Sequence, residues 1–156
     1  MTEEEVIRFV SGLPGVDVVT AAESNGAPEV AWGDTFVSYD PQGDLPPERR
    51  MPFTTVVVTD YPGFDTESRL DRPGVFRVNI NVGRRVFAEL FGHSPAAHAE
   101  HRSEYDFAVV DQFLPHPAYA VQGWASVLNP GPATEVELRR LITAAHARAV
   151  NRHRPH

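Results

Sequence analysis

Apolar residues along this chain switch between helical and extended spacing, and turn residues separate the segments. Val6, Ile7, Phe9, Val10 and Leu13 recur at helical intervals behind a Thr2…Glu5 capping-box pattern, so a helix is predicted over 2–13, closed by Gly12, Pro14 and Gly15. Residues 16–22 are β-prone, and Ser24-Asn25-Gly26 is a turn signal that returns the chain as a hairpin. The next predicted strand, 29–39, alternates imperfectly but puts Trp32 and Asp34 on one face. A polar, turn-rich loop follows at 40–50, then a strand over 53–59 built on three valines that reads as central.

The alternation is clearest at 75–82. Phe76, Val78, Ile80 and Val82 point to the core, and Val75, Arg77, Asn79 and Asn81 point to a polar face. Between these strands, 61–71 reads as an irregular connection. A short helix is predicted over 84–91, and Ser94-Pro95 opens a second that carries His98, His101 and Tyr105. A third helical piece is expected over 107–114, followed by a strand bearing Tyr119 and Trp124. Thr134 with Glu137 repeats the capping-box pattern and starts a closing helix, beyond which 152–156 forms a frayed basic tail. The expected fold is α+β: one two-layer domain over 1–151, with a mainly antiparallel sheet and N-terminal, middle and C-terminal helices packed on one face.

Composition narrows the function classes. All 14 basic residues are Arg, and the net charge is −7. Residues 1–68 hold 13 acids against 3 Arg, whereas 69–156 hold 11 Arg against 8 acids. Overall acidity opposes non-specific nucleic-acid binding, although a local Arg patch can still take a small anion. Without Cys there is no disulfide framework or thiol nucleophile. No apolar run is long enough to suggest a membrane span, and the acidic N-terminus is unlike a secretory signal, so a cytoplasmic address is expected. Walker A, GxGxxG and GxSxG signatures are absent.

LPGV at 13–16, MPF at 51–53, YPGFD at 61–65, RPGVFRVNINVGR at 72–84, PHPAY at 115–119 and QGW at 122–124 resemble an actinobacterial family of unknown function across nearly the whole chain. More distantly, the order of elements is similar to the MmcQ/YjbR-like proteins, whose fold also resembles secretion chaperones. The shared marks are the LPGV end of the first helix and an aromatic-to-Trp strand followed by a turn and a final helix. Lysines usual there are absent here, and the turn before the last helix is NPGP, departures that weigh against carrying over the DNA-binding suggestion made for that fold. The nearer resemblance implies no activity.

Arg77 and Asn79, two apart on a strand, share a face, and a guanidinium grips carboxylate or phosphate with a planar fork. His116 sits between two prolines that fix its backbone, which suits an imidazole presented as general acid or base. Trp124 shares a side with Gln122. His98 and His101, three apart on a helix with Glu104 and Asp106 nearby, are the candidate metal ligands, though no metal or other cofactor is required. The leading expectation is a domain, monomeric or homodimeric, that binds a small anionic molecule or a protein partner through Trp32, Asp34, Arg77, Asn79 and Trp124, with His116 close by. A small enzyme using His116 as acid or base and Arg77 as anion anchor is the alternative, and a DNA-associated regulator the third.

Overall fold

The computed structural model describes residues 1–154. It contains a six-stranded antiparallel sheet in the order β1-β2-β3-β4-β6-β5. The strands are β1 (Val16–Thr20), β2 (Thr35–Tyr39), β3 (Thr54–Val57), β4 (Arg77–Asn81), β5 (Phe113–Pro115) and β6 (Trp124–Leu128). The helices are α1 (Glu3–Ser11), α2 (Gly83–Phe91), the short α3 (His98–His101) and α4 (Glu135–Arg152).

In α1 both halves of the capping box form: Thr2 Oγ1 accepts from the Glu5 N–H at 3.1 Å, and Glu5 accepts from the Thr2 N–H at 3.1 Å. Val6 and Val10, one turn apart, are then delivered into the core. They meet Val37, Val56, Val78, Ile80, Ala125 and Val127 from the sheet, together with Phe87 of α2 and Leu138, Leu141 and Ile142 of α4. This is the face that period-2 alternation selects in β4. Register carries it across the sheet, because Val78 pairs with both Val56 and Val127, and Ile80 with Thr54 and Ala125. The α+β class and the largely one-sided helix layer follow from that alternation.

Several local expectations change. The expected 29–39 strand shortens to β2, since Glu29–Ala31 forms a 3-10 turn after Pro28 and Gly33 takes φ 91°. Trp32 and Asp34 therefore do not share a strand face. The Gly26 turn exists, with φ 79°, but residues 21–34 wander through two 3-10 turns rather than making a tight hairpin. No helix forms over 107–114. Asp106 takes the Ala108 N–H at 3.0 Å, Asp111 adopts φ 55°, and the chain extends into β5. Tyr119 precedes a 3-10 turn, Ala120–Gln122, so β6 begins only at Trp124.

The second capping box is also absent. Thr134 donates its hydroxyl to Asp111 at 2.6 Å, and the same carboxylate accepts the Gly131 and Ala133 N–H groups at 2.8 and 3.1 Å. A distant aspartate thus ties down the turn that leads into α4. Arg152 is still helical, and of the expected tail Pro155 and His156 lie outside the described residues.

A close backbone approach joins α2 to β6. Gly123 has φ 86°, its carbonyl accepts from both Val82 and Gly83 N–H at 3.0 and 3.1 Å, and a Cβ there would lie 3.2 Å from the Gly83 Cα. Only glycine meets both demands without strain. Gly123→Ala is expected to destabilise the fold by about 1–3 kcal/mol, read as a lower urea midpoint with unchanged m-value.

Candidate functional site

The second face of the sheet carries the polar residues of β4, but it is not open to water. Residues 59–75 fold across it, closed at one end by a turn in which Tyr61 and Asp65 exchange backbone hydrogen bonds of 2.8 Å. Leu70 from this segment packs with Val57, Leu114 and Leu128, giving the face a small apolar cluster of its own. Arg77 lies beneath, 1% exposed. Its Nη1 and Nη2 grip both oxygens of Asp65 at 3.0 and 2.6 Å, Nη1 also reaches Ser68 Oγ at 2.8 Å, and Nε donates to Asn79 Oδ1 at 2.8 Å. Asn79 accepts from Ser126 Oγ at 2.8 Å and donates to Thr55 Oγ1 at 2.9 Å, so one amide links β3, β4 and β6. Burial pushes the Asp65 carboxyl up, but the hydrogen bonds and charge of Arg77 outweigh it and hold that carboxyl below its ordinary range.

Asp34 and His116 border this network without bonding to it. Asp34, fully buried just before β2, accepts the Val58 N–H at 2.8 Å and the Tyr61 hydroxyl at 2.5 Å. Its carboxyl is nonetheless raised, because burial outweighs those bonds and the nearby Arg77. Tyr61 is raised too, by burial and by Asp34. His116 is 3% exposed, and its Nδ1 accepts the N–H groups of Ala118 and Tyr119, both at 2.9 Å. Two donors on Nδ1 place the ring proton on Nε2. Burial, then the charge of Arg77, pull its pKa down to about 3 against the opposing pull of Asp65. The geometry makes His116 a neutral ring at neutral pH, fixed through the two N–H groups that its Nδ1 accepts.

The remaining predicted residues scatter. Trp32 is 37% exposed and donates its indole N–H to the Ala27 carbonyl at 2.9 Å, away from any strand. His98 is buried with neither ring nitrogen bonded, and His101 pairs with Glu104 at 2.7 Å. His93 stacks on His101 with ring centres 4.2 Å apart and only 7° between planes, so ring faces rather than nitrogen lone pairs are brought together. Among the described residues no three His, Asp or Glu side chains are placed to hold a metal ion.

Trp124 leads elsewhere. It pairs with Asn81 across β4 and β6, and both line a cavity of about 690 Å³ at that end of the sheet. Tyr39, Arg49, Arg50 and Arg152 complete much of its wall. Arg50 is tethered to the Leu45 carbonyl at 3.3 Å and approaches Asp17 at 3.8 Å, whereas Arg49 and Arg152 have no partner among the described residues. Behind Asn81, Arg148 donates to the Asn81 carbonyl at 2.9 Å. Its guanidinium is held below its ordinary pKa range by burial and by repulsion from Arg152. Positive charge is therefore concentrated here, and among the described residues only Asp17, beside Arg50, opposes it. Sequence reasoning missed Arg49 and Arg50, which lie in a loop, and placed Arg152 in a tail; it also missed Tyr61 and Asp65, although YPGFD marked their loop.

Two outcomes test the polar network. Asp65→Asn leaves the Arg77 charge buried without its counter-ion and is expected to cost about 3–5 kcal/mol, measured by chemical denaturation. His116 gives a pH signature. Between pH 6.5 and about 3 the unfolded ring binds a proton that the folded ring refuses, so stability falls on acidification by about 1.4 kcal/mol per pH unit. The raised Asp34 carboxyl acts in the opposite sense, so the comparison that isolates His116 is with His116→Asn, whose amide oxygen can still accept the two N–H groups. That variant is expected to lose this slope, and an unchanged slope would contradict the assignment.

Comparison with known proteins adds a family but no activity. No curated protein and no solved structure matches the chain. Neither an actinobacterial origin nor a relationship to the MmcQ/YjbR-like proteins emerges from these comparisons. A match does span residues 1–156, to a family of unknown function, and the chain accordingly belongs to the DUF6194 family.

Proposed function

We propose that this protein binds a small anionic molecule in the cavity formed by Asn81, Trp124, Tyr39 and the arginines around them. One observation carries the reading: Arg49 and Arg152 line the same cavity as Trp124, and among the described residues no carboxylate pairs with either. Guanidinium groups in this state favour a multiply charged oxyanion, since each can offer paired N–H donors. The half-buried indole of Trp124 and the ring of Tyr39 supply flat apolar surface, which suits a ligand with a planar or aliphatic body beside its charge. Arg77, the anchor expected from the strand pattern, has its charge matched by Asp65. In this reading it supports the site by fixing the β4–β6 pairing that sets Asn81 beside Trp124. No catalytic step is assigned.

Phenyl phosphate, a dianion on an aromatic body, is a suitable probe in a Trp32→Phe background where Trp124 is the sole indole. A saturable change in Trp124 emission is expected, weakened by raised salt and by about tenfold or more in Arg49→Ala/Arg152→Ala. A flat titration, or equal affinity in the double variant, would remove the support for this reading.

A further inference from the structure

A second cavity, of about 500 Å³, lies between the start of α1 and the segment leading into β4. Val58, Leu70, Val75 and Phe76 give it apolar walls, and Glu3 and Arg72 add one charge of each sign. These two line the same space without forming an ion pair with each other. The Glu3 carboxylate makes no hydrogen bond or salt bridge with any described residue. No cation among the described residues pairs with it, and burial, followed by repulsion from Asp34 and Glu4, raises its carboxyl pKa. The neighbouring ammonium of Met1 is committed elsewhere, to the Pro130 carbonyl at 2.6 Å and Glu135 at 3.4 Å.

Arg72 is held in place from behind. Its Nε donates to the Arg69 carbonyl at 2.9 Å, and Nη2 donates to the carbonyls of Ser68 and Ala108 at 3.0 and 2.9 Å. Nη1 has no partner among the described residues. A guanidinium immobilised through three backbone carbonyls, with one nitrogen unspent, is preorganised for an acceptor. The cavity thus offers a carboxylate without a cation and a fixed donor without an acceptor among the described residues, with apolar surface beside both.

We propose that this cavity is a binding site for a small zwitterion with an apolar side chain, of the α-amino-acid class. The ligand's ammonium group pairs with Glu3, its carboxylate meets Arg72 Nη1, and its side chain lies on Val58, Leu70, Val75 and Phe76. The site is independent of the arginine-lined cavity and differs from it in charge logic: one site collects positive charge, the other presents both signs.

Three probes with a common branched body separate the contributions: leucine, isoamylamine without the carboxylate, and 4-methylpentanoate without the ammonium. Amide chemical shifts of the intact protein are followed during each titration. Leucine is expected to shift the amides of Val58, Leu70, Val75 and Phe76 saturably, and each truncated analogue to bind about tenfold or more weakly. Glu3→Gln is expected to reduce leucine affinity by a similar factor. Glu3 has no partner whose loss would unfold the protein, and an unchanged spectrum away from the cavity checks this. The proposal is overturned if leucine leaves these amides unmoved, if 4-methylpentanoate or isoamylamine binds as tightly as leucine, or if Glu3→Gln binds leucine as well as the parent.

Discussion

Much of the second face of this protein depends on a guanidinium buried on a β-sheet. Arg77 cannot sit under a loop at 1% exposure unless its charge is neutralised and its donors are used. Asp65 meets the first condition with a two-pronged contact, and Ser68 and Asn79 meet most of the second. Satisfying Arg77 therefore fixes the 61–68 segment over the sheet, and Asn79 passes the constraint sideways to Thr55 and Ser126. An ordinary solvated strand face would have left that segment without a polar anchor.

The same accounting of spent and unspent charge distinguishes support from site. Arg77 and Asp65 neutralise each other, and His116 has both a fixed tautomer and a depressed pKa, so this region holds architecture in place. At the end of the sheet, Arg49 and Arg152 have no acid against them among the described residues, and burial and Arg152 together lower the Arg148 pKa behind Asn81. At the start of α1, Glu3 and Arg72 are each left incomplete. Chemistry is inferred where charge is exposed to a cavity and unmatched, because there a ligand offers what the fold does not.

Local sequence signals were most informative where one short segment contained both partners. Thr2 and Glu5 are three apart and cap α1 as their pattern predicts; Val78 and Ile80 alternate with Arg77 and Asn79, and the sheet obeys that parity. The reading weakened when a partner lay far along the chain. Thr134 carries the capping-box pattern with Glu137, yet Asp111 outcompetes it by accepting three donors around the start of α4. Trp32 looked like a strand residue, but Gly33 breaks the extension before β2 begins.

By itself, then, the sequence determined the α+β class, the helix-covered core face and the polar parity of β4, since alternation and capping act between residues a few positions apart. It also identified Arg77, Asn79 and Trp124 as residues to watch. Tertiary structure alone decided that Arg77 pairs with Asp65, that Trp124 lines a cavity with Arg49 and Arg152, and that Glu3 and Arg72 share another without pairing. The reason is physical: a charge becomes structural or available according to which counter-charge the fold brings within a few ångströms, and those partners come from distant parts of the chain.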